Sequence, residues 1–327
     1  MAAQGWSSGN VVTQVTPEES PMRFAFQPQQ WPDAIAEIEA AGHTYVEDVH
    51  DADFLVFNGG PGKFPDPLPE NIRYVQATFA GIDALVDAGL IRPGGVRWAC
   101  ASGLYDDTVA ESTIAILLAQ MHQHKMITLA GSWSVRREVD RRKQWLFDGK
   151  TVAIIGAGRI AVKLIEMLRV FGVRIIAVTR SGREVAGADE SRAIAEVDEV
   201  WPVADVVVVL APLTPETRHM INGDVFAQMK STAVLVNVAR GPLVHTEDLV
   251  EALRDGVIGG AALDVTDPEP LPDDHPLWDI DTCMITPHTA NTYTVIQQRT
   301  GRLVVDNAAA FEAGERMPNE VDLEAGY

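Results

Sequence analysis

Cysteine is scarce in this sequence. Two cysteines, Cys100 and Cys283, occur among 327 residues and stand far apart in the chain. Because two isolated cysteines have neither the number of a disulfide framework nor the spacing of metal ligands, we expect a reducing compartment and no metal site. Both thiols are predicted to be buried as small apolar side chains.

Long apolar runs and an excess of basic residues are also missing. No stretch of about 18 apolar residues could span a membrane, and the N-terminus lacks the basic flank and apolar core of a signal peptide, which favours the cytoplasm. The chain has 26 Lys and Arg residues against 46 Asp and Glu residues, a formal net charge of −20. Because nucleic acids and anionic membranes attract basic surfaces, neither is expected as a partner.

The residues that are present indicate a large α/β protein. A length of 327 residues predicts two domains, and an apolar content of 46% allows a large core. In the second half, the apolar stretches 205–210, 233–238 and 260–265 alternate with helix-like segments. Continuous apolar strands separated by helices are typical of a parallel sheet covered on both faces.

The stretch from Thr151 to Ala161, TVAIIGAGRIA, predicts a strand, a tight turn and a helix N-terminus. Gly156 permits the sharp turn, Gly158 lets the backbone approach a phosphate, and the helix N-terminus offers unpaired N–H groups to negative charge. The alternative is an ordinary glycine turn. A second apolar strand at 174–178 completes a βαβ unit and favours dinucleotide binding.

Residues 22–102 predict a smaller α/β unit. Two glycine turns follow its predicted strands, NGGPG at 58–62 and AGID at 80–83. Both would place bare backbone at the carboxyl ends of parallel strands, where ligands usually bind, although a turn of this kind is more often only a connection.

The middle of the chain predicts a buried helix followed by an arm. The segment 108–122 is strongly apolar and follows Asp106 and Asp107, both good N-cap residues, so a packing helix is expected. The stretch 133–145 is rich in Arg and aromatic residues and is interpreted as an arm that packs against another subunit. Its arginines alternate with acidic residues, which favours a solvated face over an anion site.

Three polar residues follow three predicted strands of the second half. Arg240 lies in VNVARGPLV, Glu269 in LDVTDPEP and His288 in ITPHTA. Each alone has an ordinary alternative: a surface arginine, a turn glutamate or a capping histidine. Together, at the same sheet edge as the glycine turn, they predict an active site in which the arginine binds a carboxylate.

These motifs resemble the D-isomer-specific 2-hydroxyacid dehydrogenase family, close to its glyoxylate/hydroxypyruvate reductase branch. The resemblance covers residues 22–312 and is densest in IIGAGRIA, LAPLTPETRHMIN, VNVARGPLV, DPEPLP and ITPHTA. It implies an α/β fold of two Rossmann/flavodoxin-like domains, with a dinucleotide-binding domain inserted into a discontinuous substrate domain. It also implies a homodimer formed through residues 108–145.

The resemblance sets the expected domain boundaries. The dinucleotide-binding domain would cover residues 103–289, and the substrate domain would combine residues 22–102 with 290–327. A flexible leader at 1–21 would precede both domains.

The resemblance also implies roles for the three polar residues. His288 would exchange a proton with the substrate oxygen while a nicotinamide exchanges hydride with the neighbouring carbon, and Glu269 would orient the imidazole. Arg240 would bind the substrate carboxylate together with the backbone N–H groups of Ala80 and Gly81. The implied substrates are small 2-keto acids and D-2-hydroxy acids, with glyoxylate and hydroxypyruvate first.

The resemblance also implies that the coenzyme binds at the carboxyl ends of the strands predicted in the second half of the chain. NAD-specific relatives carry an acidic residue about 20 positions after the glycine turn, where this chain has Thr179. The neighbouring cations and hydroxyl predict NADP in preference to NAD, with a basic surface turn as the alternative. The residues assigned to the coenzyme are Gly156, Gly158, Arg159, Ile160, Thr179, Arg180, Ser181, Arg183, Pro212, Thr214, Val238 and Asp264.

Two departures and two alternatives stand beside this interpretation. Asn291 occupies a position that is small or apolar in many relatives, and the turn at 58–62 has no assigned role. Phosphite dehydrogenases share the three catalytic residue types, so another small anion is an alternative substrate. Corepressors of the same fold, which sense dinucleotides and bind peptides, are an alternative from a different class.

Overall fold

A computed structural model describes residues 21–147 and 149–323. The predicted leader therefore lies outside the described residues except for Pro21. The described chain contains two sheets in which every pairing between strands is parallel, as predicted for an α/β protein.

The first sheet has the spatial order β2-β1-β3-β4-β5. Its strands are β1 (Arg23–Gln27), β2 (Thr44–Tyr45), β3 (Phe54–Phe57), β4 (Tyr74–Ala77) and β5 (Arg97–Ala99). This is the order of flavodoxin-like folds, in which the chain reverses its direction of winding between the first and third strands.

The second sheet has the spatial order β12-β11-β10-β9-β6-β7-β8. Its strands are β6 (Thr151–Ile155), β7 (Arg174–Thr179), β8 (Glu190–Ala193), β9 (Val206–Val209), β10 (Val234–Asn237), β11 (Gly260–Leu263) and β12 (Cys283–Ile285). The winding reverses between β6 and β9, and ligands of such sheets bind beyond the carboxyl ends of the strands at this point.

The apolar strands of the second sheet are buried on both faces. In β9, Val207 and Val209 pack into one hydrophobic cluster, whereas Val206 and Val208 pack into the other. Successive side chains of a strand point to opposite faces, so a run of four valines requires helices on each side.

Helices supply that cover. They are α1 (Pro32–Ala40), α2 (Asp83–Asp87), α3 (Asp106–Met121), α4 (His124–Ala130), α5 (Arg136–Arg142), α6 (Arg159–Leu168), α7 (Gly223–Gln228), α8 (Thr246–Arg254) and α9 (Tyr293–Glu312). On the second sheet, α3 packs beside α6 on one face, while α7 and α8 cover the other.

The end of the described chain returns to the first sheet. Helix α9 packs against α1, and the backbone carbonyl of Asn319 accepts a hydrogen bond of 2.9 Å from the N–H of Cys100. The N–H of Val321 in turn donates to the carbonyl of Trp98 in β5 at 2.8 Å. Both cysteines are buried and free, as their isolation predicts.

Three local details differ from the sequence interpretation. Helix α3 begins at Asp106, so Asp106 and Asp107 lie in its first turn, and Tyr105 is the N-cap residue. Acidic residues favour the first turn as well as the cap, because both lie at the positive end of the helix dipole. Strand β8 was not predicted, since its residues ESRA are polar and half-buried. The arm at 133–145 consists of a 3-10 turn at Trp133–Val135 and the short helix α5.

In the part of the chain that the structure describes, no helix is long and apolar enough to cross a membrane. Residues 21–147 and 149–323 likewise contain no group of three or more His, Cys, Asp and Glu side chains arranged to hold a metal ion.

Candidate active site

The glycine turn after β6 has the shape of a phosphate-binding turn. Gly156 has a φ of +88°, and a Cβ atom there would overlap the backbone of Ala211. The N–H groups of Gly156 and Ala157 both donate to the carbonyl of Val178 at 2.9 Å. At Gly158, a Cβ atom would meet nothing closer than 3.9 Å, so this side of the turn is open. Helix α6 starts directly after it without a side-chain cap, which leaves its first N–H groups for a ligand.

Polar groups collect at the end of β7, beside this turn. Thr179 is buried, and its Oγ1 atom has no hydrogen-bond partner within the described residues. The Arg183 guanidinium donates to the carbonyl of Ala157 at 3.0 Å, while Arg180 and Ser181 are exposed in the same loop. Since a buried polar group without a partner costs free energy, the Thr179 hydroxyl suits a site completed by a polar ligand such as a ribose.

The remaining residues assigned to the coenzyme lie along the same edge. Pro212 and Thr214 follow β9 in a loop that Thr217 braces, because its hydroxyl donates to the Pro212 carbonyl at 2.7 Å and accepts from the Thr214 N–H at 2.8 Å. Val238 follows β10 and is buried, and Ile160 packs partly buried against the core. The glycine turn, the end of β7 at Thr179 and the residues that follow β9 and β10 lie along one edge of the sheet. Together they fit an extended dinucleotide.

His288 and Glu269 form a hydrogen-bonded pair. The distance from His288 Nδ1 to Glu269 Oε1 is 2.6 Å. Glu269 follows β11 and His288 follows β12, and these neighbouring parallel strands end at the same edge. Both side chains are about half-exposed, at 53% for His288 and 42% for Glu269. Because Nδ1 faces the carboxylate, Nε2 is the ring nitrogen available to a substrate.

A buried carboxylate holds the loop that carries the histidine. Asp264 directly follows β11 and is 2% exposed. Its side chain accepts hydrogen bonds from the Thr286 hydroxyl at 2.6 Å and from the N–H groups of Thr289 and Ala290 at 2.8 and 2.9 Å. The backbone of His288 has a φ of +53°, a conformation that residues other than glycine adopt only where their surroundings hold them.

Asp264 has a structural role beside the one predicted for it. The resemblance assigns it to the coenzyme, but in this structure both carboxylate oxygens bind the histidine loop. The backbone carbonyl of Asp264 also accepts a hydrogen bond of 2.8 Å from the N–H of His288. Asp264 is thus placed to position His288.

Arg240 joins the edges of the two sheets. It follows β10 of the second sheet, yet its Nε donates to Asp83 Oδ1 at 3.2 Å, and Asp83 follows β4 of the first sheet. Its Nη1 donates to the carbonyl of Ala239 at 2.7 Å. Its Nη2 lies where a Cβ atom on Gly81 would be, and no described residue accepts a hydrogen bond from it. This Nη2 group is free to bind an anion.

Ala80 is not an open donor, contrary to the sequence expectation. Its N–H donates to the hydroxyl of Tyr105 at 2.7 Å, whereas the N–H of Gly81 has no partner in the described part of the chain. Burial raises the pKa of Tyr105 to about 12, against the opposing effect of the Ala80 N–H and the Arg240 charge. The predicted carboxylate site therefore keeps Gly81 and loses Ala80 as a direct donor.

Asp106 and Asp107 connect the start of α3 to helices α6 and α9, and the sequence interpretation missed this role. Arg159, the first residue of α6, donates from Nε to Asp106 at 3.2 Å. Asp107 binds Arg299 of α9 through two hydrogen bonds of 2.6 and 3.1 Å. The acidic pair was interpreted only as a helix cap, and nothing local in the sequence identifies its distant partners.

The two unassigned departures have structural partners. The Asn291 side chain accepts a hydrogen bond of 3.1 Å from the hydroxyl of Thr108 in α3. In the NGGPG turn, the Asn58 side chain accepts from the N–H of Gln29 at 3.1 Å and donates to its carbonyl at 2.8 Å. Asn291 thus ties the histidine loop to α3, and Asn58 fixes the loop that follows β1.

A cavity of about 330 Å³ adjoins the His288–Glu269 pair. Leu271, Trp278 and Ile285 contribute apolar side chains to its lining. A half-exposed proton donor, a free cationic group and an uncapped helix N-terminus therefore share one edge of the molecule. This arrangement suits hydride transfer between a dinucleotide and the carbonyl of a small carboxylic acid.

Comparison with known proteins agrees with this chemistry. Residues 112–290 match the family model described as the NAD binding domain of D-isomer specific 2-hydroxyacid dehydrogenase. An uncharacterised protein in the proB 3′ region of Corynebacterium melassecola is 57% identical over 306 residues, which cover 94% of this chain and all of that protein.

Characterised relatives are more distant. The glyoxylate reductase/hydroxypyruvate reductase of Homo sapiens is 33% identical over 266 residues, with 79% of each chain covered. Among solved structures, the NADPH-dependent glyoxylate/hydroxypyruvate reductase of Sinorhizobium meliloti, in complex with NADP and sulfate, has a TM-score of 0.77 and 25% identity. That match covers 94% of this chain and all of the other.

Proposed function

The chain belongs to the D-isomer specific 2-hydroxyacid dehydrogenase family, and we propose that it uses NADPH to reduce glyoxylate or hydroxypyruvate. Membership confirms the resemblance carried by its motifs and makes the protein an NAD(P)-dependent oxidoreductase of 2-hydroxy acids. The observation that carries the proposal is the 2.6 Å pair of His288 and Glu269 on the sheet edge that also holds the glycine turn.

The proposed reaction divides the work among three side chains. His288 donates a proton from Nε2 to the carbonyl oxygen of the keto acid, and in the reverse direction it accepts that proton. Glu269 accepts from Nδ1, which fixes the orientation of the ring. Arg240 binds the substrate carboxylate through its free Nη2 group and polarises the neighbouring carbonyl. Bound NADPH supplies the hydride that the carbonyl carbon gains.

The preference for NADPH rests on the end of β7. Thr179 carries no negative charge that would repel a 2′-phosphate, and the guanidinium of Arg183 lies at the glycine turn through its bond to Ala157. Arg180 adds a second cation in the same exposed loop. The solved reductase of Sinorhizobium meliloti is described as NADPH-dependent, which supports the same choice. NAD is the alternative coenzyme.

The substrate proposal rests on the characterised relatives and on the size of the site. The human relative is named for glyoxylate and hydroxypyruvate. The guanidinium of Arg240 lies directly against Gly81, which suits a small carboxylate. Phosphite is the alternative substrate, because it is also a small anion that a guanidinium can bind. A corepressor that senses dinucleotide is the alternative from another class, and it predicts binding without turnover.

We also propose the domain division and the homodimer implied by the resemblance. The packing of α9 on α1 and the bonds from residues 319 and 321 to the first sheet support the assignment of 290–327 to the substrate domain. Within the predicted dimer region, 108–145, Trp133 is 86% exposed and Leu129 is 70% exposed, and apolar side chains as exposed as these favour contact with a second subunit. The equilibrium mass in solution tests this part of the proposal.

Initial rates with a panel of 2-keto acids and both coenzymes test the reaction. We expect turnover of glyoxylate and hydroxypyruvate and a higher kcat/KM with NADPH than with NADH. The variant His288→Asn should lower kcat by roughly 10²- to 10⁴-fold and leave coenzyme affinity intact, because the substitution removes the proton donor only.

The matched control is His50→Asn. His50 also pairs with a carboxylate, since its Nδ1 lies 2.8 Å from Asp48 Oδ1. This pair is exposed in the turn before β3, at the amino end of that strand, whereas the residues of the candidate site follow the carboxyl ends of strands. Its loss should not change kcat. Binding of coenzyme without turnover of any 2-keto acid by the native enzyme would refute the proposal and favour the corepressor alternative.

A further inference from the structure

The proposed carboxylate site contains one more polar group than the sequence assigns to it. We propose that the hydroxyl of Tyr105 donates a hydrogen bond to the substrate carboxylate, as the third donor beside Arg240 Nη2 and the Gly81 N–H. This inference rests on the proposed function and adds a substrate-binding residue to it.

The position of Tyr105 follows from two contacts. Its hydroxyl oxygen lies 2.7 Å from the nitrogen of Ala80, the residue directly before Gly81. Gly81 in turn lies so close to the guanidinium of Arg240 that no side chain would fit between them. The positive charge of Arg240 acts to lower the pKa of Tyr105, against the larger effect of burial. The hydroxyl contacts Ala80, and the guanidinium lies against the next residue, Gly81, so both groups lie beside the turn at 80–83.

The hydroxyl has a proton to give. It accepts the hydrogen bond from Ala80, and no residue in the described parts of the chain accepts a hydrogen bond from it. A phenol can accept and donate at the same time, so the Ala80 contact leaves its own O–H available. Because burial raises the pKa of Tyr105 to about 12, the phenol is neutral at physiological pH and does not repel an anion.

The Ala80 contact also strengthens Tyr105 as a donor. An N–H that points at the phenol oxygen polarises the O–H bond, and chains of hydrogen bonds reinforce one another in a site of low dielectric. The backbone donor that the sequence assigns to the substrate thus acts through Tyr105. A negative acceptor benefits most from such a chain, which favours the carboxylate over the neutral carbonyl.

A purely structural role for Tyr105 makes a different prediction. If the phenol only braces the loop at 80–83, its removal should disturb Arg240 and lower the turnover of every substrate alike. If it binds the carboxylate, the loss should appear only with ligands that carry one. Methylglyoxal, a dicarbonyl compound without a carboxylate, separates the two roles.

The variant Tyr105→Phe tests the proposal. We expect KM for glyoxylate and hydroxypyruvate, and the dissociation constant of the inhibitor oxalate, to rise about 10- to 100-fold, the range for one hydrogen bond to a charged group. The kcat/KM for methylglyoxal and the dissociation constant of NADPH should not change. The control is Tyr74→Phe, which removes a buried phenol hydroxyl of β4 that has no partner among the described residues, and it should alter none of these constants.

Three outcomes decide the matter. Equal losses with glyoxylate and methylglyoxal would show that Tyr105 braces the loop, and unchanged constants with all ligands would show that it has neither role. Either result overturns the proposal. If the native enzyme turns over no keto acid, the proposed function fails on its own, and calorimetric titration of oxalate into the native and Tyr105→Phe proteins with NADPH present still decides whether Tyr105 binds a carboxylate.

Discussion

The glycines at positions 156 and 81 follow buried parallel strands in similar turns, yet the structure gives each a different reason to be glycine. At Gly156, a φ of +88° and the backbone of Ala211 exclude any side chain. At Gly81, the three atoms nearest to a Cβ atom would all belong to side chains, two of them to the guanidinium of Arg240 and one to the carboxylate of Asp83. The fold requires the first glycine, whereas the site requires the second.

The two turns also differ in how their ligand sites are assembled. The glycine turn at 156–158 opens directly onto α6, a helix of 10 residues with no side-chain cap, so one sheet supplies the phosphate site. The turn at Gly81 precedes α2, a helix of 5 residues, and its cation, Arg240, comes from the second sheet. In the proposed function, coenzyme binding therefore depends on one sheet, while substrate binding depends on how both sheets meet.

The largest effect is expected for Gly156→Ala. The new Cβ atom must displace the backbone of Ala211, and alanine at a positive φ adds about 1 to 2 kcal/mol of strain. Together with the cost of overpacking, the free energy of unfolding should fall by about 2 to 4 kcal/mol, and NADPH binding should be lost. Urea unfolding without coenzyme and a fluorescence titration with NADPH measure the two effects.

The control for this variant is Gly172→Ala. Gly172 also has a positive φ, +67°, but a Cβ atom there would meet nothing within 4 Å. Its substitution should show the strain without the overlap, about 1 to 2 kcal/mol, and should not affect NADPH binding. If the two variants were equally stable, the close approach to Ala211 would not be the reason for glycine at position 156.

This contrast also explains what the sequence could predict. The glycine turn, Arg240, Glu269 and His288 were all predicted because each lies within a few residues of the end of a buried apolar strand, and parallel strands gather such positions at one edge. Tyr105 was not found, because its role depends on a contact with Ala80, 25 positions away. The pattern of residues within one segment identifies which positions lie at the edge of a sheet. It does not identify the side chains of other segments that contact those positions.

The same limit applies to acidic residues. Asp83 lies 157 positions from Arg240, and Asp107 lies 192 positions from Arg299, so no local pattern relates either pair. Asp264 was assigned to the coenzyme by resemblance, and its contacts with the histidine loop were not predicted, because the sequence does not show that this loop folds back over it. The proposed catalytic residues thus have local sequence signals, whereas the residues that hold them in place do not.

An intermediate effect is expected for Gly81→Ala. The guanidinium of Arg240 can move aside at little cost, so the free energy of unfolding should change by less than about 0.5 kcal/mol. KM for glyoxylate should nevertheless rise about 10-fold or more, because the displaced Arg240 loses its charged hydrogen bond to the carboxylate. NADPH affinity should be unaffected, and steady-state kinetics with both ligands varied separates the two constants.

Gly60→Ala is the matched control, since Gly60 lies in the equivalent turn after β3 and a Cβ atom there would meet nothing within 4 Å. It should change neither stability nor KM. A Gly81→Ala protein that kept the native KM would mean that Arg240 does not bind the substrate from the position described above.

The smallest effect is expected for the ion pair between α3, which covers the second sheet, and α9, which packs against the first-sheet helix α1. Asp107→Asn removes the ion pair between α3 and Arg299, and exposed pairs of this kind contribute about 0.2 to 1 kcal/mol. Arg299 lowers the pKa of Asp107, so the pair stabilises the folded protein at neutral pH and stops doing so as the pH falls through the lowered pKa. The control is Asp306→Asn, whose partner Arg302 lies within α9 itself.

Both substitutions should cost similar stability, and added salt should reduce both costs, since ions screen exposed pairs. Only Asp107→Asn should also raise KM for glyoxylate, by about 2-fold on the scale of a surface ion pair, because only that pair helps to set how the two sheets meet. The NADPH dissociation constant should be native in both variants. A change in NADPH affinity with Asp107→Asn would mean that the coenzyme site, too, depends on the junction between the sheets.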